Sequence, residues 1–141
     1  MIDLVDAATI GNERGALRFG DVRRAGDGSA EYVTAVLEVG GLNARTEVVA
    51  NYAQGFDDLV EFFRQLAQDW RGWTGERVWE SVEGELSIAA AHRGHVELDV
   101  RLQGGPHRRW SARSTLLIEP GEELSRGARD LADLLAERRS Q

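Results

Sequence analysis

The stretch His95-Val96-Glu97-Leu98-Asp99-Val100-Arg101-Leu102 decides the class of fold. Its valines and leucines fall at every second position with charged residues between them, so a strand over these residues has one apolar face and one wet face. Strands of that kind belong to antiparallel sheets that pack a single side on a core. Arg93-Gly94 before it and Gly104-Gly105-Pro106 after it provide tight reversals. Its partners are therefore the neighbouring segments in sequence, read as strands over about 77–82, 85–92 and 108–118 around this one at 95–103.

Working outward from this meander, the N-terminal third has the same character. A strand begins at Ala16, Leu17 and Phe19 and runs to Val22. The glycine- and aspartate-bearing loop Arg23 to Ser29 follows, and a strand returns over Glu31 to Val39, where Val33, Ala35, Leu37 and Val39 share one parity. Gly40-Gly41-Leu42-Asn43 turns the chain into a further strand, Arg45 to Ala50. Between the two strand groups, Phe56, Leu59, Val60, Phe63, Leu66, Ala67 and Trp70 recur at three- and four-residue spacing, the mark of an amphipathic helix. Asp57 or Asp58 is placed to cap it, and Gly72 to stop it.

A second helix opens at Pro120, carries Glu122 and Glu123 in its first turn, and runs through Leu124, Ala128, Leu131, Leu134 and Leu135 to Arg138 and Arg139. Acids at the start and arginines at the end both complement the helix dipole. Gly127 inside it costs about 1 kcal/mol relative to alanine. The expected fold is α+β, with the order β-β-β-α-β-β-β-β-α. Residues 1–141 form one domain of two layers, a largely antiparallel sheet of seven or eight strands covered by two helices. No linker or convincing internal repeat interrupts it.

Composition removes several kinds of chemistry. With 141 residues, no cysteine and only two prolines, the chain is long enough for one core and lacks disulfides, thiolate metal sites and cysteine nucleophiles. Every one of its 17 basic residues is arginine, so a lysine Schiff base and a lysine phosphate loop are both excluded. The N-terminus has acids where a secretory signal has positive charge, and no segment approaches the roughly 20 apolar residues of a membrane span, so a cytoplasmic protein without membrane contact is expected. The net charge of −7 is uneven: residues 1–70 hold 12 acids against 6 arginines, and residues 71–141 hold 12 against 11. That balance disfavours nucleic acid, whose phosphates require positive charge, and suits a basic protein partner.

Several side-chain groups are candidates for function. Trp70, Arg71, Trp73 and Trp79 cluster after the first helix, and tryptophan and arginine dominate binding hot spots; large rings also seal helix ends as core. His92 and His95 flank a tight turn, with Glu83, Glu85 and Asp99 nearby in sequence, but metal-site spacings such as H-E-x-x-H are missing and neither metal nor cofactor is expected. Glu80, Glu83 and Glu85 read as solvated charge, and Ser81 and Ser87 lack a nucleophile context. His107-Arg108-Arg109-Trp110 mixes base and ring but is short.

The run Trp70-Arg71-Gly72-Trp73-Thr74-Gly75, the segment Trp79 to Leu86, Gly94-His95-Val96, and Glu119 to Leu124 together resemble an uncharacterised actinobacterial family, domain of unknown function 6228, over about residues 56–136. The resemblance implies no activity and carries no site residues. The W-x-G-W and G-H-V elements are also similar, more loosely, to those of immunity proteins of contact-dependent toxin systems, which work by binding and blocking a toxin.

The expectation is thus a non-enzymatic protein-binding module of immunity or regulatory type. Its partner surface comprises Asp57, Asp58, Glu61, Arg71, Trp73 and Trp79. The alternative is a small enzyme or ligand-binding domain whose pocket gathers Glu83, His95 and Asp99 between sheet and helices. A homodimer is also compatible with the composition.

Overall fold

A computed structural model describes residues 4–104, 107 and 109–137. Among the described residues, eight strands, all paired antiparallel, and two helices confirm the α+β class. In chain order they are β1 (Ala8–Asn12), β2 (Gly15–Arg24), β3 (Ala30–Val39), β4 (Leu42–Val49), α1 (Asp57–Gln68), β5 (Glu76–Glu80), β6 (Leu86–His92), β7 (Val96–Gly104), β8 (Trp110–Ile118) and α2 (Glu122–Leu135). The strands divide into two four-stranded meanders, β1-β2-β3-β4 and β5-β6-β7-β8, instead of one continuous sheet. Twist accumulates at about 20–25° per strand pair, so eight strands that splay apart as one open sheet can face each other as two.

Each sheet turns one face to a shared core. Ile10, Leu17, Phe19 and Leu37 of the first sheet meet Ile88, Leu98, Val100 and Leu102 of the second in a single apolar cluster, and the helices add Leu59, Phe63, Leu66, Leu124 and Leu131. The alternation over residues 96–104 is followed without a break, every even-numbered residue being buried. Polar side chains tie the edge strand β4 to the second sheet. The Glu85 carboxylate accepts Val49 N–H at 3.0 Å and the Ser81 hydroxyl at 2.7 Å, so it ties the end of β4 to the β5–β6 turn. The Thr46 hydroxyl donates to Gln103 O at 2.9 Å. Glu85, read from the sequence as solvated charge, is in this way a strut between the sheets.

The N-terminal group holds a fourth strand, β1, whose Ala8 and Ile10 alternate inward over too short a run to stand out. Helix boundaries also differ in detail from expectation. Phe56 occupies the cap position of α1 without a side-chain hydrogen bond, and Asp58 instead accepts the Leu59 N–H at 2.8 Å within the first turn, where Asp57 adds charge; α1 ends at Gln68, before Gly72. Helix α2 begins at Glu122 behind Gly121, whose φ of 100° suits glycine. Arg138 and Arg139, expected at its end, lie outside the described residues, as do Gly105, Pro106 and Arg108 of the β7–β8 connection. The basic group found at the α2 C-terminus comes from β2: Arg24 donates to Leu134 O at 2.7 Å and to Ala136 O at 2.8 Å.

Gly127 is explained by what faces it. An added Cβ would stand 2.7 Å from Thr9 O and 2.8 Å from Ile10 Cδ1, so α2 touches β1 where no other residue leaves room. Gly127→Ala should therefore destabilise the protein by about 1–3 kcal/mol through overpacking, reversing the sign expected from helix propensity; urea denaturation followed by circular dichroism measures it. Arg24→Ala should cost about 1.5–3 kcal/mol in the same assay, because three carbonyls, those of Gly28, Leu134 and Ala136, lose a charged donor, and Arg24→Lys should recover only part of it, since an ammonium lacks the planar fork.

Candidate interaction surface

The chain leaving α1 does not fray into solvent. Asp69 N–H returns to Gln65 O and Gly72 N–H to Asp69 O, and Gly72 turns with φ at 140°. The turn places the Trp70 carbonyl 2.8 Å from His92 Nε2, at the end of β6. A carbonyl only accepts, so Nε2 carries the proton and donates. The ring of Trp73 stands edge-to-face on His92, with centroids 5.3 Å apart, and its indole N–H points at Ala90 O at 3.4 Å.

Arg77 closes the group from β5. Its guanidinium lies 4.8 Å from the centre of the Trp73 ring and donates to Asp69 Oδ2 at 2.9 Å. Outside this core of the site, Trp70 is 46% exposed, and Arg71 lies 5.1 Å over its ring. Rings and guanidinium groups therefore alternate along a turn that His92 and Arg77 hold in place. Cation–π contacts of this kind contribute about 0.5–1 kcal/mol at exposed sites and more when desolvated.

Of the residues expected to form one partner surface, the structure gathers Arg71 and Trp73. Asp57 and Asp58 lie at the opposite end of α1, whose 12 residues span roughly 18 Å. Glu61 is engaged on its own helix by Arg64 at 2.5 Å and Gln65 at 3.1 Å, and the bond from Arg64, with that from Gln65, holds its carboxyl below the ordinary value. Trp79 leaves the surface altogether. It shares a row with Ile88 and Val100 on the inner face of the second sheet and is 8% exposed. Among the described residues its indole N–H has no acceptor.

The second expected set is not assembled. Glu83 sits in the β5–β6 turn and His95 in the β6–β7 turn, and the seven residues of β6 between those turns span about 20 Å. There Glu83 borders a cleft with Glu85 and His107. His95 pairs with Glu97 at 3.4 Å and faces a different cleft, of about 680 Å³, beside Asn12, Glu119 and Glu123. Asp99 points outward from the middle of β7, where Arg113 binds both carboxylate oxygens; Nε reaches Oδ1 at 2.9 Å. Among the described residues no three histidine, aspartate or glutamate side chains come together as metal ligands. Trp110, from the basic segment, lies across Gly104, where a Cβ would meet its ring at 2.2 Å.

Residues the sequence did not single out complete the surface: Asp69, Arg77 and the structural role of His92. The parity of β5 is the one signal available for Arg77, which shares the inward register of Trp79. The pairing with Asp69 depends on how the turn closes and has no sequence signature.

A family model matches residues 8–138, nearly the whole chain and well beyond the segment that first suggested a likeness. The chain belongs to DUF6228, a family of unknown function. The family thus spans all eight strands and both helices, including the N-terminal sheet. No curated protein and no solved structure matches the sequence.

Asp99 can be assigned a structural part within this family member. The hydrogen bonds from Arg113 hold its carboxyl below the usual carboxylate range, so it stays ionised and is poorly suited to giving or taking a proton near neutrality. A lowered folded-state pKa adds stability above the ordinary carboxylate pKa of about 3.9, and that stability is lost as pH falls through the lower folded value. The stability difference between wild type and Asp99→Asn should therefore be constant near neutrality, shrink below about pH 4 and vanish at lower pH. Urea titrations between pH 2 and 7 test this; a difference that persists at the acid end would break the assignment.

Proposed function

We propose that this chain is a non-enzymatic protein-binding module of immunity or regulatory type, acting in the cytoplasm through the surface formed by Trp70, Arg71 and Trp73. The observation that carries the reading is the exposure of Trp70 beneath Arg71 on a turn fixed from below by His92 and Arg77. An exposed indole on an ordered turn meets a partner with little loss of conformational freedom, and tryptophan–arginine pairs are typical of the residues that dominate protein interfaces. The separation of Glu83, His95 and Asp99 favours binding over the enzyme alternative, since acid–base chemistry needs its groups within hydrogen-bond reach of one reacting atom. Arg71 forms no ion pair among the described residues, so its guanidinium is available to a carboxylate of the partner.

The protein encoded beside the gene is the first partner to screen, by co-purification followed by titration calorimetry. Binding should weaken by about 2 kcal/mol or more, roughly thirtyfold, when Trp70 and Arg71 are both changed to alanine. Far-UV circular dichroism should be unchanged, because both side chains lie outside the core. Equal affinity of wild type and the double variant would remove this surface from the interaction.

A further inference from the structure

We infer that β5 is a docking edge, to which a partner protein adds an extended segment as a fifth antiparallel strand of the second sheet. This goes beyond the tryptophan surface and does not require it. Four strands stand at the edges of the two sheets, β1, β4, β5 and β8. Three of them are closed by the chain itself. The Asn12 side chain at the end of β1 donates to Leu117 O of β8 at 3.1 Å, so those two edges meet, and α2 packs against β1 at Gly127. Glu85 accepts the outward Val49 N–H of β4 at 3.0 Å. Among the described residues no helix or capping side chain closes β5 in this way.

The free groups of β5 follow from its pairing. Successive residues of a strand direct their N–H and C=O to opposite sides. Ser81 N–H donates to Leu86 O at 2.9 Å and Gln103 N–H to Glu85 O at 2.8 Å, so the even-numbered residues of β6 bond to β5, and their partners are Arg77 and Trp79. The main-chain groups of Glu76, Val78 and Glu80 therefore point away from the sheet, and among the described residues no hydrogen bond reaches them from elsewhere in the chain. Val78 is 64% exposed. The edge is nevertheless fixed in place, since Trp79 is buried in the core, Asp69 holds Arg77, and the pairing with β6 runs the length of the strand without a bulge. Donors and acceptors recurring at every second residue, roughly 7 Å apart, are matched by another extended chain and not by a small molecule.

Charge decides which chain. On the outer face of the sheet β5 presents Glu76, Val78 and Glu80, all exposed. The cross-strand neighbours of the two acids on β6 are the uncharged Ala91 and Ser87. Arg101 of β7 comes only to 3.9 Å from Glu80, and Arg113 of β8, which feels the charge of Glu76, is bound by Asp99. A second copy of the chain is a poor occupant. The one antiparallel register that pairs all three free residues with themselves centres on Val78 and sets Glu76 against Glu80 twice, and like charges directly opposite are destabilising. A segment with a β-branched residue opposite Val78 and basic residues opposite Glu76 and Glu80 gains at all three positions. The shortness and charge of β5, which guard an edge against copies of itself, leave it open to a strand of opposite charge.

The test uses the intact protein and the peptide acetyl-Thr-Arg-Thr-Val-Thr-Arg-Thr-amide, read by ¹⁵N–¹H spectra and amide hydrogen exchange. Without peptide the Val78 amide should exchange rapidly and the Trp79 amide slowly; saturating peptide should slow Val78 about tenfold or more and leave Trp79 unchanged. N-methylation of the peptide's valine, whose N–H faces β5, should abolish binding, while N-methylation of the two threonines beside it should not. Glu76→Arg with Glu80→Arg should weaken binding of the arginine peptide about three- to thirtyfold, and this variant should bind the peptide with glutamate at both arginine positions. Equal loss from both kinds of methylation, shift changes centred away from residues 76–80, no rescue by the glutamate peptide, or no binding at millimolar peptide would each overturn the inference. So would a Val78 amide protected without peptide, which in a protein that dimerises by sedimentation assigns the edge to a second copy. Trp70→Ala with Arg71→Ala should leave peptide binding intact, so failure of that surface and failure of this edge are distinguishable.

Discussion

Helix α2 is held against the N-terminal hairpin at three levels, and the arrangement of both sheets depends on that clasp. Near its start, Glu123 accepts the Asn12 side-chain amide at 2.9 Å. In its middle, Gly127 lets the backbone of β1 come within van der Waals reach. At its end, Arg24 occupies the carbonyls of Leu134 and Ala136. The last element of the chain is thus fastened to the first two strands, and Asn12 also donates to Leu117 O of β8, so the edge of one sheet is fixed to the edge of the other. Without the clasp each meander would present one apolar face to water. An arginine bidentate on terminal carbonyls and a glycine at a close crossing are both intolerant of substitution, which concentrates the specificity of the fold in few residues.

How far this architecture is written in the sequence follows from what a period can report. Alternation at Val96, Leu98, Val100 and Leu102 identifies which face of β7 is buried, whereas in β3 both parities are buried from Val33 to Leu37. It does not identify what covers that face. One sheet beneath helices and two sheets around a shared core produce the same alternation, so seven strands and their antiparallel pairing were legible while β1 and the division into two sheets were not. The topology repeats, four strands and a helix twice over, without a repeat visible in the residues. The role of Arg24 was hidden for a related reason: local reasoning looks for the cation of a helix terminus within its last turn, and here it arrives from 110 residues away.

The candidate surface was legible in part. The W-R-G-W run marks the turn that follows α1, where tryptophans that close together after an amphipathic helix must either seal it or stand free, and here Trp73 does the first and Trp70 the second. Trp79 was assigned to the same surface by nearness in sequence, yet the pleat of β5 sends it inward while Val78 beside it stays exposed. Glu83, His95 and Asp99 lie within 17 positions of one another, and the meander pulls them apart, since each reversal in sequence returns the chain along the full length of a strand.

Charge follows the same logic. The acidic excess of residues 1–70 is a property of composition, but pairing decides where it acts. On the outer face of the first sheet, Glu38, Glu47 and Asp21 are matched by Arg18, Arg23 and Arg45, and Asp69 is matched by Arg77 across the turn. Among the described residues the acids of this half without an ion pair are dispersed: Glu13 lies in the β1–β2 turn, Asp27 in the β2–β3 loop, and Asp57 and Asp58 at the start of α1. The other end of the same helix presents Arg71 over Trp70. The 12 residues of α1 hold Asp57 and Asp58 roughly 18 Å from the cationic aromatic turn at Trp70 and Arg71, so pairing within the fold, and not composition, decides which charges stay open at each end of the helix.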